Sequence, residues 1–92
     1  MTRSRDLLDE IERNAAQYMD EYLPAVDPEI AKLAPAELED EIEDLKEFID
    51  EENRPALAVF LGVDASTPNI IELSESLLKE MRIQLYALRE AR

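Results

Sequence analysis

The residues best able to do chemistry in this chain are carboxylates, and they are crowded together. The stretch ELEDEIEDLKEFIDEE, residues 37–52, holds ten of them and one lysine, Lys46. Clustered carboxylates can hold a cation, exchange a proton or grip a basic surface. Catalytic proton transfer and transition-metal binding ordinarily draw on histidine or cysteine, and the chain has neither; loose association of Mg²⁺ or Ca²⁺ with the carboxylates needs neither and distinguishes nothing. Ser–His and Cys–His nucleophile pairs, Glu-x-x-His iron ligation, thiolate zinc sites and disulfides are thereby excluded. No Asp-x-Asp-x-Asp-Gly calcium loop occurs. Paired carboxylates do acid–base work only where a cleft raises one pKa, and nothing in so short a chain suggests one. The expectation is a non-enzymatic protein with no cofactor and no resident metal. The third use remains: an acidic surface read by a basic protein partner.

The distribution of charge sharpens this. Ten basic against 23 acidic residues give a net charge of −13. The 37–52 segment alone carries 1 − 10 = −9, leaving −4 for the other 76 residues. Such a field repels nucleic acid and anionic membranes and attracts basic surfaces. Like charges three or four apart on a helix cost a few tenths of a kcal/mol per pair, about 1–3 kcal/mol here before salt screening. Interspersed lysines would recover that energy. Three explanations compete: a solvated face of biased composition, a docking surface for a basic protein (imitation of nucleic acid being its sharpest form), and adaptation to high salt. The last ordinarily spreads acids along the whole chain.

At about 100° per residue, Leu38, Ile42, Leu45 and Ile49 fall on one stripe of a helix. Glu37, Asp40, Asp44, Glu47 and Glu51 fall nearly opposite, spaced three-four-three-four. These five carboxylates are the candidate partner-binding ridge.

The elements that must position this ridge follow from composition and from the prolines. The 92 residues suit a single domain, and 46% of them are apolar, enough for a core. One glycine and abundant Leu, Glu, Ala and Ile favour an all-α fold. A first helix is predicted from Arg5 to Leu23, capped by Ser4 or Thr2, with Leu8, Ile11, Ala15, Tyr18 and Tyr22 on one face. Pro24 stops it. A short helix follows with Asp27 as cap and Pro28 at its first position. Pro35 opens the acidic helix, which runs to Glu52. A second short helix after Asn53 ends at Gly62, although an apolar run this short also fits a buried strand. Ser66 or Thr67 caps a last helix with Pro68 in its first turn, running to near Ala91. The prediction is a small bundle of three main helices plus two short ones. On the last helix Ile83 and Tyr86 lie opposite the main apolar face, so they either pack under the first helix or form a homodimer or partner contact.

Residues 57–71, LAVFLGVDASTPNII, resemble the helix-turn-helix pattern of bacterial repressors, with Ala58, Gly62, Val63, Thr67 and Ile71 in matching positions. The resemblance implies a DNA-binding or transcription-linked regulator. Pro68 replaces the pattern's aliphatic residue, and no lysine or arginine lies between Arg54 and Lys79 to hold phosphates. LGVDAS is also similar to the attachment stretch of acyl carrier proteins, with Ala65 intervening between Asp64 and Ser66.

No apolar run approaches the ~20 residues of a membrane helix. The start, MTRSRDLLDEIERN, turns acidic too early for a signal peptide. The expectation is therefore a cytoplasmic, acidic interaction module, an adaptor or inhibitor that binds a basic partner and makes no direct contact with nucleic acid or membrane. The alternatives are the DNA-linked regulator and a structural subunit of a helical homo-oligomer.

Overall fold

Asp27, Asn53 and Gly62 punctuate the chain as their chemistry requires. In the computed structural model, which describes residues 3–22, 24 and 26–90, the Asp27 carboxylate accepts from the Glu29 N–H at 2.8 Å. It caps a short helix whose first residue is Pro28. Asn53 accepts from the Ala56 N–H at 3.3 Å and starts another. Gly62, with φ 72°, ends that helix in the left-handed region. Thr2, Leu23 and Ala91, named above as helix ends, lie outside the described residues.

The fold is all-helical, with no strand among the described residues, but six helices replace the expected five: α1 (Arg3–Arg13), α2 (Ala15–Tyr22), α3 (Pro28–Ala31), α4 (Pro35–Glu51), α5 (Arg54–Leu61) and α6 (Ile70–Glu90). The extra helix arises because the predicted first helix is interrupted at Asn14. The Asn14 side-chain amide donates to the Glu10 carbonyl at 3.1 Å, the same oxygen its own N–H reaches. This competition by a short polar side chain is a known way to disturb a helix. The apolar face survives the break, since Ile11 and Ala15 on either side are both buried.

Ser4 is not a cap. It lies inside α1, fully buried, and its N–H and hydroxyl both donate to Asp50 of α4, at 3.1 and 2.7 Å. Ser66 likewise caps no helix; its N–H and hydroxyl donate to Asp64, and the last helix starts later, at Ile70.

The hub is α6, which packs against all five other helices. One side of it meets α4, where Leu38, Leu45 and Ile49 are fully buried and Ile42 nearly so, against Leu78, Met81 and Leu85. The other side meets α1 and α2. There Tyr18 and Tyr22 stack at 5.5 Å, with the Lys79 ammonium 5.8 and 5.7 Å from their ring centres. The radius of gyration, 12.8 Å, matches the ~12 Å of a folded chain this long. No helix is long and apolar enough to cross a membrane among the described residues.

Two helices end in the same way. In α5 the Gly62 N–H bonds Val59 O and the Val63 N–H bonds Ala58 O; in α4 the Glu52 N–H bonds Ile49 O and the Asn53 N–H bonds Phe48 O. Both are Schellman closures, but Glu52 takes the left-handed position, φ 53°, that Gly62 takes in α5. A side chain there is strained. Glu52→Gly is expected to stabilise the fold by about 0.5–1 kcal/mol, after allowing for the unfolded-chain entropy of glycine. A thermal melt by circular dichroism checks this, and an unchanged or lowered Tm refutes it.

Candidate functional site: the acidic ridge of α4

Helix α4 is divided by its own neighbours into four sectors. Its buried sector is the stripe Leu38, Ile42, Leu45 and Ile49. Opposite, Glu37, Asp40, Asp44, Glu47 and Glu51 are all exposed. A flank on one side holds Glu39, Glu43 and Asp50, each engaged within the molecule. Glu39 pairs with Arg89 of α6, Glu43 with Lys46 at 3.2 Å, and Asp50 receives Ser4. The other flank carries Glu41 and Phe48, both half-buried.

Within the ridge the five carboxylates are not equivalent. Glu37 accepts the Ala34 N–H at 3.0 Å, which secures the start of α4. The carboxylates of Asp40, Asp44, Glu47 and Glu51 make no hydrogen bond or ion pair among the described residues. At 1.5 Å per residue this unpartnered row spans about 16 Å, and neighbours in it are about 5–6 Å apart. The basic residues nearby are committed elsewhere: Arg82 to Glu12 at 2.7 Å, Arg89 to Glu39 and Lys46 to Glu43. No group of three carboxylates converges as a metal site among the described residues, so the row is linear rather than chelating.

The second candidate surface divides. Ile83 is fully buried, because α6 is covered on that side by α1 and α2. It belongs to the interior and is not open to a second chain. Tyr86 is half-buried. The helix-turn-helix-like corner also takes a different form. Residues 62–69, eight in all, separate α5 from α6, where that motif has a turn of about three or four. Arg54 is occupied inside this corner, donating to Thr67 O at 2.7 Å and Ala65 O at 3.2 Å.

Two features escaped the sequence. Asp50 is the distant cap of α1, a pairing 46 residues apart that local spacing cannot reveal. An apolar hollow lined by α3, α4, α5 and α6 residues also lay hidden, because each helix contributes only one or two of its side chains. Near it, Glu80 is raised above its ordinary 4.5 by burial and, secondarily, by the Asp27 carboxylate.

Comparisons with protein families, characterised proteins and solved structures found no match to the chain. The geometry of the ridge therefore carries the functional reading.

Two outcomes are expected from this geometry. Asp50→Ala removes both bonds to Ser4 and uncaps α1, at a cost of about 1–2 kcal/mol. Ser4→Ala keeps the backbone bond and costs less. Urea titrations of the two variants test the order, and equal or negligible losses refute the capping role. Glu80 holds its proton more tightly in the folded state than in the unfolded chain. Its contribution to stability is thus complete below pH 4.5 and lost as pH rises through its raised folded value. Glu80→Gln should raise the Tm at neutral pH and give no gain below pH 4.5; melts across that range decide.

Proposed function

We propose that the protein is a non-enzymatic interaction module that binds a basic protein surface through Asp40, Asp44, Glu47 and Glu51, as an adaptor or inhibitor. The observation that carries this reading is the unpartnered row itself. These four carboxylates are exposed and unpaired among the described residues, while the acids on the flank beside them are engaged. A row of anions along one helix is suited to a groove whose arginines and lysines ordinarily hold phosphates. A partner that itself binds nucleic acid is the sharpest form of the proposal. The absence of cysteine fits a reducing compartment, and we place the module in the cytoplasm.

DNA reading by the 57–71 corner has less support, since Arg54 is committed to backbone carbonyls and Glu72 is exposed at the start of α6. A homo-oligomer built on Ile83 has less as well, because that side chain is already covered.

The test couples binding to stability. In the quadruple variant Asp40→Asn, Asp44→Asn, Glu47→Gln, Glu51→Gln, three like-charge pairs within the row and five between the row and Glu37, Glu41, Glu43 and Asp50 disappear, and the fold should gain about 1–3 kcal/mol. Binding to an arginine-rich helical peptide should weaken by about 10-fold or more at low salt. The wild-type complex should weaken steeply as salt rises. Calorimetric titrations that find the variant binding as tightly as the wild type would refute the ridge as a docking surface.

A further inference from the structure

A hollow of about 510 Å³ opens beside α4, a quarter-turn around that helix from the ridge. Its floor is apolar: Leu33, Phe60, Leu61 and Leu77 are half-buried there, over the buried Ile30 and Met81. Its rim is anionic, formed by Asp27, Glu29 and Glu41, and no lysine or arginine lines it. Lys32 reaches only Glu29, at 3.8 Å with both side chains well exposed, a pair of little energetic weight. Phe48, on the same flank of α4 as Glu41, packs edge-on against Phe60 of the floor at 6.5 Å and fixes that wall.

An apolar floor within an anionic rim selects its occupant. A second copy of the chain brings a net charge of −13 and is repelled, as is a fatty acid or any other anionic amphiphile. An amphipathic basic helix satisfies both parts at once. Its leucine-type anchors, three or four residues apart, enter the floor, and its lysines and arginines meet the rim. The volume suits one or two such anchors.

We propose that this hollow is the specificity pocket for the same basic partner that the ridge attracts: it takes the apolar anchors of a cationic amphipathic helix. This rests on the ridge reading for the partner's charge, while the pocket supplies what charge alone does not, a preference for one sequence pattern. Glu41 joins the two surfaces, since it lies on α4 between the ridge and the pocket.

The experiment uses the full chain and three synthetic helical peptides. The first carries lysine and arginine on one face and leucines at i, i+3 and i+7 on the other. The second keeps the charges but has alanine for leucine. The third keeps the leucines but has glutamine for the basic residues. The first is expected to bind about 10-fold or more tightly than either of the others. Its advantage over the alanine peptide should vanish in Leu61→Ser, and its affinity should fall in Glu41→Lys. Amide chemical-shift changes for the leucine peptide should include Phe60, Leu61 and Leu77. Equal binding of the leucine and alanine peptides overturns the pocket and leaves the ridge reading standing. Tight binding of the uncharged peptide overturns the basic occupant. Failure of both charged peptides to bind overturns the ridge reading and the pocket with it.

Discussion

Everything in this molecule depends on the apolar stripe of α4 lying against α6. Leu38, Leu45 and Ile49 are fully excluded from solvent and Ile42 nearly so. Burying four such side chains is worth about 6–12 kcal/mol, against about 1–3 kcal/mol of repulsion among the carboxylates on the same helix. Packing wins by a wide margin, and this is why a helix so heavily charged forms at all. It also fixes the outcome for the acids. Once the stripe is seated, the helical period sends Asp40, Asp44, Glu47 and Glu51 to the far side.

The same seating gives the several faces of α4 different surroundings. Its flank toward α1 and α6 is joined to them by Arg89 and Ser4. The Glu52 closure and the Asn53 cap turn the chain directly into α5, which brings Phe60 within reach of Phe48. The ridge and the hollow are thus two faces of one helix.

What was legible in the sequence was whatever depends on period and on local caps. The 38-42-45-49 stripe, the Asp27–Pro28 start, the Asn53 start and the Gly62 end all appear where spacing puts them. The misses share one cause: they depend on residues distant in sequence or on competition at a single atom. Ser4 reads as a cap because serine before an amphipathic run ordinarily is one, yet in the folded chain it donates to Asp50 instead. Asn14 breaks the first helix through its side chain while the apolar pattern runs on undisturbed. Ile83, opposite the main stripe of α6, reads either as covered by the first helix or as a partner contact; it is covered, and period alone could not decide, because a helix at the centre of a bundle has two covered sides.

The placement of the basic residues is what supports the proposed docking ridge over a surface that is merely soluble. Solubility depends on net charge and is indifferent to which acids stay unpaired. With only ten lysines and arginines against 23 acids, the fold has few cations to distribute. Those near α4 go to its flank, Arg89 to Glu39 and Lys46 to Glu43, while Arg82 goes to Glu12 and Arg54 to backbone carbonyls. A lysine at any exposed position three or four residues from the ridge would have relieved it. Glu43 occupies such a position, three residues from Asp40 and four from Glu47, and is an acid. A chain under selection for charge alone gains nothing by keeping one straight line of anions clear at a cost in helix stability, whereas a chain that presents this line to a row of cations recovers the cost on binding.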